Sequence, residues 1–170
     1  MNPDPLAVLM DTVEGMDVRI AAGGDRTLVR QIIGADAAHM LASVPASART
    51  VLISVQVESR LPTLSRHHPL ATLLLLGEDG RAVGMMMVDW PPAGPVTLLD
   101  LTLLPGLRRH GRGTRVLTAL CGVADRFGRP LRASLFYDDP AQRFLALSGF
   151  AMAGSEGTDI VMERPPGPGI

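Results

Sequence analysis

Apolar positions along this chain follow two rhythms: every second residue in short runs, and every third or fourth in longer ones. Val18 and Ile20 alternate with polar neighbours and predict a short strand. Asp25 follows Gly23-Gly24, placed to cap a helix running through Leu28, Ile32 and Ile33. A second helix is predicted over Ser47 to Ser65, with Val51, Val55 and Leu64 among its apolar positions. Pro62 is expected to kink it or end it early, because proline lacks the N–H a helix interior needs.

The middle of the chain changes character. Ala71 to Leu76 is a continuous apolar run, Asp79-Gly80 is a turn dipeptide, and Ala82 to Trp90 is apolar again, which predicts a hairpin of buried strands. After a proline-rich loop, Val96 to Leu104 reads as another strand ending at Pro105. A glycine-containing turn leads into an amphipathic helix, with Val116, Leu117, Leu120, Cys121, Ala124 and Phe127 on one face. Leu131 to Tyr137 is a fifth strand, Pro140 to Leu147 a short helix ended by Gly149, and Phe150 to Ser155 and Asp159 to Glu163 two closing strands. Residues 1–15 carry two prolines and no clear period and read as a loosely packed extension; residues 165–170 read as a disordered tail. Residues 16–164 then make one α/β (α+β) domain, a mostly antiparallel sheet of six to seven strands flanked by about four helices.

Composition narrows the function classes. At 170 residues and 46% apolar content, the chain can bury a core without disulfides or structural metal. Its lone cysteine, Cys121, excludes an internal disulfide or a cysteine-cluster metal site and suits a reducing, cytoplasmic compartment. A net charge of −1 supplies no field for nucleic acid or anionic membrane. The N-terminal stretch lacks a basic region and does not read as a signal peptide, and no apolar run approaches the ~20 residues of a membrane helix. Every cation is an arginine; lysine is absent. Arginine-favouring codon usage explains that more simply than escape from self-acylation.

Candidate chemistry concentrates in Arg108-Arg109-His110-Gly111-Arg112-Gly113-Thr114, between a strand and a helix. A strand-to-helix turn points unpaired backbone N–H groups outward at a helix N-terminus, and glycines at 111 and 113 permit positive φ and close approach by an anion. Gly106 to Gly111 has the G-x-x-x-x-G spacing of a P-loop, but Arg112 and Gly113 stand where lysine and Ser/Thr are required. The dinucleotide pattern G-x-G-x-x-G is absent. The bland alternative is a glycine turn that merely starts a helix.

The stretch from Leu98 to Leu120 resembles the acetyl-CoA-binding segment of the GNAT N-acetyltransferase superfamily, and Asp138 to Phe150 resembles that family's later helix segment; the likeness spans roughly residues 16–164. The resemblance implies a GNAT fold with a mixed sheet, acetyl-CoA or another acyl-CoA as cofactor, and an amine acceptor, small molecule or peptide. Carried over by position, Leu101, Thr102 and Leu103 flank the pantetheine arm, with the Leu103 N–H on the thioester carbonyl. Backbone amides from Arg109 through His110, Gly111, Arg112, Gly113 and Thr114 wrap the pyrophosphate, with Arg108 adding charge. Asp139 replaces the family's usual cofactor-contacting asparagine, a carboxylate that would repel the phosphates unless paired with Arg143; Arg143, one helical turn beyond, either reaches the phosphates or faces solvent.

The likeness is incomplete at the catalytic acid. Where the family commonly has a tyrosine that protonates the departing thiolate, this chain has Leu145. Tyr137, its only tyrosine, is a candidate substitute, or else lines the acceptor pocket or core. Asp100 is the first candidate for the general base, with a solvent-facing or structurally paired carboxylate as its alternative; Glu58 and His67-His68 are weaker candidates. Trp90 either roofs the acceptor site or plugs the loop that follows it. The acceptor walls are expected from residues 36–66 and 90–95. No metal is implied, a homodimer is permitted without being required, and an acyl-CoA-binding module without turnover is the rival reading.

Overall fold

The computed structural model describes residues 1–168. Seven strands form one sheet in the order β1-β2-β3-β4-β5-β7-β6. They are β1 (Asp17–Ile20), β2 (Thr72–Glu78), β3 (Arg81–Asp89), β4 (Val96–Leu103), β5 (Leu131–Phe136), β6 (Ala151–Glu156) and β7 (Asp159–Arg164). All neighbours are antiparallel except β4 and β5. Five helices surround the sheet: α1 (Pro5–Thr12), α2 (Arg26–Met40), α3 (Ala46–His67), α4 (Arg112–Arg126) and α5 (Ala141–Leu147).

The helix beyond the expected four is α1, in the segment read as a loose extension. Asp4 caps it by accepting the Leu6 N–H at 3.1 Å, and Pro5 supplies a preset φ at its first turn. Leu9 is fully buried in the main core, so the segment is an integral part of the packing. The C-terminal segment is also tied down in part: the Gly167 N–H donates to Asp125 at 2.6 Å. Residues 169–170 of the expected tail lie outside the described residues.

Two apolar layers flank the sheet. The larger joins α1 and α4 to Leu74, Leu76, Met86 and Val88; the smaller joins Val29, Ile32 and Ile33 of α2 to Leu75 and Met85. Strand alternation explains why the consecutive Met85, Met86 and Met87 are all buried: successive side chains enter opposite layers.

Three local expectations are corrected. Asp25 does not cap α2; its carboxylate pairs with Arg19 at 2.7 Å and accepts the Ala22 N–H at 2.8 Å, closing a 3-10 turn ahead of the helix. Pro62 does not end α3, which continues to His67. Residues 58 and 62 are both exposed, so water can satisfy the Glu58 carbonyl that proline leaves without its helical donor. Val51 and Val55 face solvent, while Val57 and Leu61 make the inward contacts of α3.

Candidate active site

Strands β4 and β5 run parallel and pair only from Val96–Leu98 to Leu131–Ala133. Beyond that point no pairing joins them, and a fork opens between Leu101–Leu103 and Ser134–Phe136. Leu104 donates its N–H to Val83 on β3 at 2.9 Å. By the alternation of an antiparallel pair, the N–H groups of Leu101 and Leu103 therefore project toward β5, into the fork. A β-bulge in the β3–β4 pairing precedes this segment, and Gly84 lets the two backbones press together there. A Cβ on Gly84 would lie 2.2 Å from the Thr102 carbonyl oxygen.

The turn into α4 lies at the open end of the fork. Its N-cap is Gly111 at φ 79°, with no side-chain cap, and Arg109 also has a left-handed φ of 65°. Such alternation turns successive amides to one side as an anion-binding concavity. The first intrahelical bond is Arg115 N–H to Gly111 at 3.0 Å. Among the described residues, the amides of Arg109, His110, Gly111, Arg112, Gly113 and Thr114 have no protein acceptor. Arg109, His110, Gly111 and Thr114 are exposed, so the helix mouth is open. A Cβ on Gly113 would rest 3.5 Å from Phe144 and 3.6 Å from Leu103, which places α5 and β4 against the first turn of α4.

The arginines around this turn divide into two groups. Arg108 does not project to the concavity: it donates to the Leu103 carbonyl at 2.9 Å and to Asp36 of α2 at 2.6 Å. Arg112 is likewise committed, pairing with Glu78 at 2.8 Å and donating to the Leu107 carbonyl, and Arg115 shares Glu78 at 3.2 Å. These two guanidinium groups hold the Glu78 carboxyl below its ordinary range. Arg109 and Arg143 are exposed and make no ion pair among the described residues. Asp139 accepts the Ala141 N–H at 2.8 Å and so shapes the start of α5; no Asp139–Arg143 pair forms.

Asp100 faces α2 and α3. Thr102 donates its hydroxyl to one Asp100 oxygen, and Arg60 lies 4.0 Å from the other. Burial raises the Asp100 pKa above the usual carboxylate range, against the opposing pull of Thr102 and Arg60 and with some help from Asp36. Asp36 and Arg60, which the sequence reading passed over, complete this network at 2.7 Å. Each stands on its helix's inward stripe, Asp36 one turn after Ile32 and Arg60 one turn after Gln56. A charge on an apolar stripe was the available signal.

Tyr137 and Phe136, at the end of β5 beside the fork, are strongly exposed, whereas Leu145 is buried in the core. Other sequence candidates sit elsewhere. Glu58 pairs with Arg30 on the outer side of α3. His68 binds Asp89 at 2.7 Å, and Trp90 stacks edge-on against Phe127 at 5.9 Å. Asp89 pairs with Thr97 at the start of β4, so His68, Trp90 and the 91–95 loop lie a strand's length, about 25 Å, from the anion turn. Asp100, paired with Met87, is only three residues along β4 from Thr97, so these elements stand closer to Asp100 than to that turn. Cys121 is core, and its burial raises the thiol pKa.

Residues 45–150 match the model of the acetyltransferase (GNAT) family. The chain belongs to that family. No curated protein matches its sequence. Solved GNAT structures share the fold at low identity. PaiA N-acetyltransferase from Thermoplasma acidophilum, in complex with coenzyme A, aligns with a TM-score of 0.68 at 16% identity, over 88% of this chain and 98% of its own. An acetyltransferase from Thermus thermophilus gives 0.64 at 21%, over 91% and 99%. RimL, a ribosomal-protein α-N-acetyltransferase in complex with coenzyme A, gives 0.62 at 14%, over 92% and 97%. The GNAT fold of this chain thus runs nearly end to end in those proteins. None of its described helices is long and apolar enough to cross a membrane.

Proposed function

We propose that this protein transfers an acetyl or other short acyl group from CoA to a primary amine in the cytoplasm. The observation that carries the reading is the fork between β4 and β5, with six unpartnered amides at its open end. The amides of Arg109 through Thr114 suit a pyrophosphate, each such contact contributing about 0.3–2 kcal/mol through the helix dipole. The fork-facing backbone of Leu101 suits an extended amide-bearing arm lying along the strand, as an added strand would. Exposed Arg109 and Arg143 provide charge, while Arg108 and Arg112 brace the turn.

Acyl-CoA supplies a thioester: the amine nitrogen bonds to its carbonyl carbon, the carbon–sulfur bond breaks, and the sulfur leaves as thiolate. The Leu103 N–H faces the fork and is placed to donate to the carbonyl oxygen as negative charge develops. Asp100, ionised, accepts the proton the amine loses, directly or through one water. Tyr137, the phenol at the fork's mouth, returns a proton to the sulfur; with a thiol pKa of ~8.5, solvent can do the same more slowly.

The test is thiol release from acetyl-CoA across a panel of primary amines; buried Cys121 adds little background. Asp100→Asn is expected to lower the rate by about 10²–10⁴-fold with CoA affinity unchanged. The wild-type rate should fall as pH drops through the raised pKa of Asp100, because the base works only when ionised. An unaltered Asp100→Asn rate removes Asp100 from this role. Leu145, which the resemblance matches to the family's phenol, is buried, and this favours a second reading, an acyl-CoA-binding module. A thermal shift with acetyl-CoA but no thiol release from any amine would select it.

A further inference from the structure

Asp36, Arg60, Asp100, Thr102 and Arg108 form one connected network under the fork, drawn from four separate segments. Asp36 is satisfied on both oxygens, by Arg60 at 2.7 Å and by Arg108 at 2.6 Å. Asp100 is not. Thr102 serves one of its oxygens, and Arg60 stands only 4.0 Å from the other. The Asp36, Arg60 and Asp100 side chains are each only 11–12% exposed, so water compensates little. One buried guanidinium is thus shared unequally between two buried carboxylates. Gln56 helps to fix it, accepting from Arg60 at 3.2 Å.

We infer that Asp36 and Arg60 are positioning residues that set the basicity of Asp100, Asp36 by drawing Arg60 away from it. The inference rests on reading Asp100 as the base. Had Arg60 closed fully on Asp100, the pair would be an ordinary buried salt bridge and a poor proton acceptor. Asp36 prevents that by holding the closer contact, and its own negative charge adds to the effect. Every neighbouring element agrees with this accounting. Helix α2 presents Asp36, α3 presents Arg60 and neutral Gln56, and β4 presents Thr102. Strand β3 places only Met85 and Met87 opposite Thr102 and Asp100. The turn presents Arg108, which occupies the second Asp36 oxygen and leaves Arg60 free to lean partly toward Asp100. Through that arginine, the same Asp36 also braces the Leu103 carbonyl at the fork.

The test is a carbon-13 titration of aspartate side-chain carboxyls in the intact protein, with the Asp100 signal assigned from Asp100→Asn. Asp36→Asn frees Arg60 and should move the Asp100 midpoint down by about one pH unit or more. Arg60→Gln removes the cation and should move it up by a similar amount. Shifts of opposite sign are a signature that general loosening of the fold does not produce. If Asp36→Asn does not fold, Arg108→Gln replaces it; Asp36 then draws harder on Arg60 and the midpoint should rise. Shifts of the same sign for Asp36→Asn and Arg60→Gln, a midpoint unmoved by either, or no rise in Arg108→Gln overturns the inference. Because the titration needs no substrate, it is decided separately from the base assignment, which stands or falls on the Asp100→Asn rate.

Discussion

Helix α4 buries seven of its fifteen residues, and α3 none of its twenty-two. Both lie beside the same fork, yet they are held by different physics. The α4 stripe from Val116 to Ala124 is fixed by close packing against β4 and α1, so the amides at its N-terminus have one orientation. Helix α3 is held by half-buried Val57 and Leu61 and by charged contacts, Arg60 to Asp36 and Arg30 to Glu58. Its outer face exposes Val51, Leu52 and Val55. On the proposed reading, the well-packed helix presents the phosphate-binding amides, and the loosely packed one lies against Asp100 through Arg60.

Substitutions can sharpen or break that contrast. Leu117→Ala in α4 is expected to cost about 2–5 kcal/mol in denaturant unfolding, as a fully buried leucine leaves a cavity. A cost below about 1 kcal/mol would contradict the packed-helix account. Combining Gly111→Val with Gly113→Val should abolish the stabilisation that acetyl-CoA gives at about a hundred times its dissociation constant, ~2.7 kcal/mol. Valine is strained at the left-handed φ of Gly111 and meets Phe144 from position 113. A thermal shift retained in that variant would mean the concavity is not the phosphate site. Gly84→Ala should destabilise by about 1–3 kcal/mol, because its Cβ collides with the β4 backbone at Thr102, and should weaken acyl-CoA binding with it. Val55→Ala, on the exposed face of α3, should stay within about 0.5 kcal/mol of wild type.

The same contrast explains what was legible in the sequence. The β4–turn–α4 segment carried strong local signals: an apolar strand, glycines at two fixed positions, and a 3.6-residue stripe. Each agrees with the structure. The α2–α3 region offered weak periodicity, and there the reading chose Val51 and Val55, which face solvent, and missed Asp36 and Arg60. The meeting of those two side chains is set by helix crossing, which no local pattern encodes. The pairing of Arg108 and Arg112 was illegible for a related reason. Sequence gives the charge, but its partner comes from a distant segment, as Glu78 does for Arg112 across the hairpin. Helix α1 was missed because eight residues with proline at the first position show too little periodicity, although the Asp4-Pro5 start was itself a legible signal.

The short parallel seam between β4 and β5 has a mechanical consequence. Three residue pairs weld a four-stranded plate, β1 to β4, to a three-stranded one, β5 to β7. The fork begins where that seam ends, and one apolar core runs beneath both plates. Amide exchange should be slowest along the seam at Leu98 and Ala133 and quicken toward Leu103 and Phe136, where each plate ends in a free lip.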